Sequence, residues 1–144
     1  MTVEAAAVAR VLGGRRILRR RVRTTDDLRE TVEAGLPLSA LDHVAEYIAE
    51  SGREATRIKD WIVSRATRYR RQRLKPEESE RLERIARVVA LAEEVWEDRH
   101  AAHEFLTTPQ PRLSGERPLE LARSELGARQ VEDLLLELEY SFPL

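Results

Sequence analysis

At 144 residues the chain has material for one compact domain or two small ones, and its 42% hydrophobic residues can form a buried core, which excludes a disordered chain. It has no cysteine, so disulfides, thiolate metal sites and cysteine nucleophiles are excluded. The net charge of -1 hides an asymmetry: residues 1–75 carry 17 Lys and Arg against 10 Asp and Glu, and residues 76–144 carry 8 against 16, so the first half suits a polyanion and the second repels one.

Aromatic residues at 5% and charged residues at 35% suit a helical protein with solvated outer faces, and the expected fold class is all-α. No run reaches the apolar length that crosses a bilayer, and the first thirty residues lack a signal peptide's apolar core, so the expected setting is the cytoplasm, with no membrane contact.

Ala5 to Leu12 is an alanine-rich helical run stopped by Gly13-Gly14. Arginines then crowd around Ile17, Leu18 and Val22 as far as Arg23; the segment reads as a phosphate-contacting arm, a solvated connector or an irregular strand. Residues 1–24 form this leading segment. A helix is expected from Thr25 as N-cap, with Asp26 and Asp27 against the macrodipole, to Gly35. Leu38, Leu41, Val44, Ala45, Ile48 and Ala49 form one apolar helical face ending at Ser51-Gly52. A shorter helix runs from about Glu54 to Trp61, with Ile58 and Trp61 inward. Ser64 then caps a third helix bearing Arg65, Arg68, Arg70, Arg71 and Arg73. Residues 25–75 thus read as a helix-turn-helix unit, whose third helix would enter a major groove through Ser64, Arg65, Thr67, Arg68, Tyr69, Arg70, Arg71 and Arg73.

Pro76 followed by Glu77, Glu78 and Glu80 opens the longest helix, expected to reach about Trp96 within a connecting segment of residues 76–99. Leu82, Ile85, Ala86, Val89, Ala92 and Trp96 make one apolar stripe, and Val88, Leu91 and Val95 make another. Two stripes need cover on two sides. Either a second copy or the chain itself supplies it, and the expectation is a two-fold dimer through Leu82, Ile85, Val88, Val89, Leu91 and Val95. His100 and His103, three apart, lack a third strong ligand, so no metal and no cofactor is expected. Residues 100–144 form a lobe cut by prolines and glycines: Pro118 starts a helix whose leucines pack on Leu126, Gly127 breaks it, and Val131, Leu134, Leu135 and Leu138 line the last helix. The tail, Tyr140 to Leu144, is an apolar anchor or docks back on its own lobe. Nothing supplies a paired acid and base, a phosphate loop or a metal cage, so a non-enzyme is expected.

The order Phe105-Leu106-Thr107-Thr108-Pro109, Leu113-Ser114-Gly115-Glu116-Arg117-Pro118-Leu119, Gly127-Ala128-Arg129-Gln130-Val131 and Leu138-Glu139-Tyr140 resembles the C-terminal toxin-binding domain of the Xre/MbcA/ParS antitoxins. Gly35-Leu36-Pro37, then Ser64, Thr67, Arg70 and Arg71, then Leu74-Lys75-Pro76-Glu77-Glu78-Ser79-Glu80-Arg81-Leu82 resemble the Xre-like helix-turn-helix of the same family. Three positions depart from the pattern. Arg68 stands where an apolar residue is usual, Lys75 where a serine caps, and Ser141 where glycine is common. The resemblance implies a type II antitoxin that grips a RES-domain toxin, obstructs its NAD site with the C-terminal end and represses its own operon by binding operator DNA. It puts Leu113, Gly115, Arg117, Pro118, Glu139, Tyr140, Phe142 and Leu144 on the toxin-binding surface. The alternative reading is a stand-alone helix-turn-helix regulator whose C-terminal lobe dimerises or senses a ligand.

Overall fold

The computed structural model describes residues 3–141. Among these, the chain is helical throughout: α1 Ala5–Val11, α2 Gly14–Leu18, α3 Thr25–Glu33, α4 Leu38–Ile48, α5 Gly52–Ile62, α6 Arg65–Arg68, α7 Pro76–Trp96, α8 Arg99–Thr107, a 3-10 turn Pro111–Leu113, α9 Pro118–Leu121 and α10 Glu125–Ser141. The fold is all-α, with a helix-turn-helix unit ahead of a smaller C-terminal lobe. The extended backbone between Leu36 and Leu38 makes one isolated antiparallel bridge with the stretch around Arg73.

Local chemistry sets most boundaries. Thr24, not Thr25, caps α3: its hydroxyl accepts from the Asp27 amide at 3.1 Å, and the Asp27 carboxylate accepts in return from the Thr24 amide at 3.2 Å. Ser51 caps α5 by accepting from the Glu54 amide. α7 starts with Pro76 at its first position and the Glu78 carboxylate on the Lys75 amide at 2.8 Å, and it stops where Glu97 turns left-handed at φ 53°.

The 21 residues of α7 form a rod roughly 30 Å long that runs through the middle of the molecule, against α1, α3 and α5 on one side and α8, α9 and α10 on the other. The face expected to make the dimer is corrected here. Leu82, Ile85, Val88, Val89, Leu91 and Val95 are all buried within the one chain, because the amino-terminal helices cover one stripe and the lobe covers the other. Their apolar area is already removed from water, leaving none to drive association through this face. One contiguous core extends from Ala5 to Leu135.

A short strap closes the helix-turn-helix onto this rod. The Leu74 amide donates to the Leu36 carbonyl at 2.8 Å and the Leu38 amide to the Gln72 carbonyl at 2.9 Å. Gly35 sits at φ 91°, and a methyl group there would lie 2.6 Å from the Leu74 carbonyl oxygen, so only glycine fits. The Leu36 amide donates to the hydroxyl of Ser79, which is fully buried in α7; a polar side chain is tolerated in this core because it satisfies a backbone donor.

Two expectations for the lobe are also corrected. Leu126 is 70% exposed and takes no part in the packing. Gly127 lies inside α10 and does not break it: a Cβ there would fall 1.9 Å from the Leu121 carbonyl oxygen, so its function is close approach of two backbones.

Candidate functional site

α4 and α5 pack together across the three-residue link Ala49–Glu50–Ser51, the geometry of a helix-turn-helix pair. Ala40, Leu41, Val44, Ala45 and Ile48 of α4 and Ala55, Ile58 and Ile62 of α5 are buried, which turns Arg53, Thr56 and Arg57 of the second helix outward. Trp61, expected inward, is half-buried at the rim, with the Arg57 and Arg123 guanidiniums 5.8 Å and 5.2 Å from its ring. Arg57 also pairs with Glu120, so α5 touches α9 of the lobe directly.

The third helix is much shorter than its arginines suggested. α6 is a single turn, and the chain leaves it to enter the strap. Arg68 donates to the Val63 carbonyl at 2.7 Å and the Asp60 carboxylate at 2.6 Å, Arg71 forks onto both oxygens of Glu78 at 2.9 Å, and Arg73 donates to the Gly35 carbonyl at 2.6 Å. These three guanidiniums hold the turn in place. Burial alone would push the Glu78 carboxyl up, but the Arg71 fork and the Lys75 amide outweigh it and hold the group below its usual range. Of the eight predicted nucleic-acid residues, Ser64, Arg65, Tyr69, Arg70 and Arg73 are exposed, Arg73 with its guanidinium tied to the Gly35 carbonyl, while Arg65 lies 6.0 Å from the Tyr69 ring and Tyr69 is 78% exposed. Ser64 donates to the Thr67 hydroxyl at 2.9 Å. Sequence reasoning missed Arg53, Thr56 and Arg57, although the periodicity that put Ala55, Ile58 and Ile62 inward already turned these residues outward.

In the lobe, α8 lies along α7 and is fastened to the helix-turn-helix by a polar cluster. The Tyr47 hydroxyl donates to Glu93 at 2.7 Å, His103 Nε2 lies 2.8 Å from the same carboxylate oxygen, and the Arg99 guanidinium is 4.0 Å from the Tyr47 ring. Burial raises the Tyr47 pKa to about 12, helped by the Glu93 carboxylate. Burial also raises Glu93, but hydrogen bonds from His103 and Tyr47 together outweigh it, so this carboxyl is held low. Among the described residues no group of three His, Asp or Glu side chains is arranged to hold a metal.

The predicted toxin-binding residues separate into three sets. Leu113 and Pro118 are buried and, with the neighbouring Leu119, build the lobe, while Gly115 supplies a left-handed turn at φ 78° that returns Glu116 to pair with Gln110. Arg117 lines a concavity of about 410 Å³ beside Arg53, Thr56 and Arg57, facing the helix-turn-helix. Tyr140, 78% exposed, lines a separate groove of about 610 Å³ with Arg112, Asp133, Leu136 and Glu137 at the end of α10; Glu139, half-buried, is beside it in sequence. Phe142 and Leu144 lie outside the described residues. α10 is pinned along α7 by Arg84 to Glu125 at 3.2 Å and Arg87 to Glu132 at 2.9 Å. No helix among the described residues is long and apolar enough to cross a membrane.

Residues 27–87 match the antitoxin Xre-like helix-turn-helix domain, and residues 91–140 match the antitoxin Xre/MbcA/ParS C-terminal toxin-binding domain. The chain is 36% identical over 75 residues to a protein named Antitoxin Xre from Pseudomonas putida, a match covering 52% of this chain and 47% of that protein, so the chain spans about half the length of the curated relative it matches. The first matched stretch takes in the α4–α5 pair and the strap, the second takes in α8 to the end of α10, and both use the same central rod. On these grounds the chain belongs to the Xre/MbcA/ParS antitoxin family.

Proposed function

We propose that this protein is the antitoxin of a type II toxin–antitoxin pair, which binds a RES-domain toxin through its C-terminal lobe, blocks the toxin's NAD site by occlusion and represses its own operon through the helix-turn-helix half. The observation that carries the reading is the end of α10. This helix is clamped to the core by the two arginine–glutamate pairs and yet ends in an exposed Tyr140 beside Leu136, so an aromatic group is held out on a rigid support. Rigid aromatic anchors bind with little loss of conformational entropy. Inhibition by occlusion needs no nucleophile or metal, only a surface that excludes substrate, and the acidic charge of residues 76–144 favours approach to a cationic nucleotide-binding cleft.

The test is co-expression with a RES-domain toxin, with cellular NAD and growth as readouts. The full chain is expected to protect both, and a chain ending at Glu139 is expected to lose protection while keeping its helical circular dichroism and thermal midpoint. Full protection by the shortened chain would overturn occlusion by this end. Operator binding is tested separately on DNA from upstream of the gene. Paired half-sites would need a second copy joined through a surface other than α7.

A further inference from the structure

The arginines between residues 15 and 23 lie outside both family-matched stretches, and the functional reading above does not use them. Their apolar neighbours are committed elsewhere. Leu18 and Val22 are buried in the core and Ile17 packs against it, while Gly13 and Gly14 at φ 118° and 69° and Arg19 at φ 59° fold the backbone tightly between these anchors. Arg20 turns back to α3, with Glu30 at 3.4 Å and Asp27 at 3.8 Å. The other guanidiniums, those of Arg15, Arg16, Arg19, Arg21 and Arg23, are exposed and make no hydrogen bond or ion pair with any described residue. This contrasts with the stretch from Arg65 to Arg73, where three of the five arginines are held by internal partners. α2 itself packs beside α4, the first helix of the helix-turn-helix pair.

We infer that Arg15, Arg16, Arg19, Arg21 and Arg23 form a contact surface for the phosphate backbone of duplex DNA, an inference that rests on the DNA-binding part of the reading above. Guanidinium forks match phosphate oxygens. In a helix-turn-helix complex the first helix crosses the DNA backbone, so charges carried beside α4 fall where phosphates flank the groove. The segment presents no exposed aromatic or apolar side chain, so it has nothing with which to stack on bases and nothing to insert into a bilayer, which favours phosphate contact over both. Its anchors already hold the backbone, so binding orders side chains only. The contact contributes affinity without sequence preference.

The experiment compares the full chain with a variant carrying Arg15→Gln, Arg16→Gln, Arg19→Gln, Arg21→Gln and Arg23→Gln, titrated against labelled upstream duplex and a scrambled duplex from about 50 to about 300 mM salt. Each lost phosphate contact removes about 0.9 from the slope of log affinity against log salt, so the slope is expected to become shallower by roughly 2 to 4, with a loss of affinity on the order of 10- to 100-fold at the lowest salt. The preference for upstream over scrambled duplex is expected to stay the same, and a five-lysine version is expected to recover the slope. Thermal melts check folding of both variants, and if the glutamine variant is unfolded the Arg21→Gln, Arg23→Gln pair replaces it with a proportionately smaller slope change. An unchanged slope in a wild-type chain that binds DNA overturns this inference and leaves the operator reading standing. Absence of any DNA binding by the wild type overturns both. Loss of binding to vesicles of anionic phospholipid, with DNA binding intact, also overturns the inference.

Discussion

Gly127 shows how a residue's function can differ from the one its type suggests. A glycine inside an exposed helix costs up to about 1 kcal/mol relative to alanine, so Gly127→Ala would ordinarily stabilise α10. Here the added methyl group would meet the Leu121 carbonyl at 1.9 Å, and the backbone of α9 or α10 must move to admit it. Gly127→Ala is therefore expected to destabilise the protein by about 1–3 kcal/mol, as overpacking does, measured as a lower midpoint in urea. The sequence around it, Leu126-Gly127-Ala128, looks locally like a helix boundary. What decides against that is a backbone six residues earlier, and periodicity carries no information about such an approach. Thr24 against Thr25 is the milder case. Two adjacent threonines are equally good caps on composition, and the reciprocal bond with Asp27 selects the first.

At the level of elements, α6 and the strap separate two groups of arginines that the sequence presents as one run. Arg68, Arg71 and Arg73 hold the fold, through partners at Asp60, Val63, Glu78 and Gly35; Arg65 and Arg70 face outward. Arg71→Ala is expected to lower the thermal midpoint by removing both bonds to Glu78, and to weaken DNA binding only as far as the fold is lost. Arg65→Ala with Arg70→Ala is expected to leave the midpoint unchanged and weaken binding directly, which parallel melting and anisotropy curves would distinguish. The start and end of α7 were readable in advance because Pro76, Glu77, Glu78 and the run to Trp96 act within their own turns. The short length of α6 was not, because it is set by partners up to 38 residues away.

For the whole molecule, the width of an apolar face could be read from α7 but the identity of its cover could not: amphipathicity shows that area must be buried, and topology decides by what. The helices that bury it also bring carboxylates onto internal partners, which makes stability sensitive to acid. Glu78, Glu93 and Asp27 are all held low in the folded state. A depressed carboxyl contributes its stability above the unfolded value, 4.5 for glutamate, and loses it as the pH falls through the folded value. Glu83, raised by burial against the pull of Arg87, acts with the opposite sign, favouring the fold below its ordinary value and losing that contribution as the pH rises through the folded one. With three groups against one, the thermal midpoint is expected to decline as the pH is taken from neutrality to below about 4.5. Glu93→Gln is expected to flatten that decline.

The strap and the buried rod have a consequence for how this protein can be divided. The seam between the two matched stretches, residues 88–90, falls in the middle of α7, at Val88, Val89 and Ala90, which are all buried. A hybrid assembled at that seam from two relatives would join half-helices whose knobs were shaped for different holes. The unit that can be exchanged intact is then the whole chain, and under the proposed function a change of toxin specificity is expected to come from substitutions on the surface of α8 to α10 and not from grafting one half onto another.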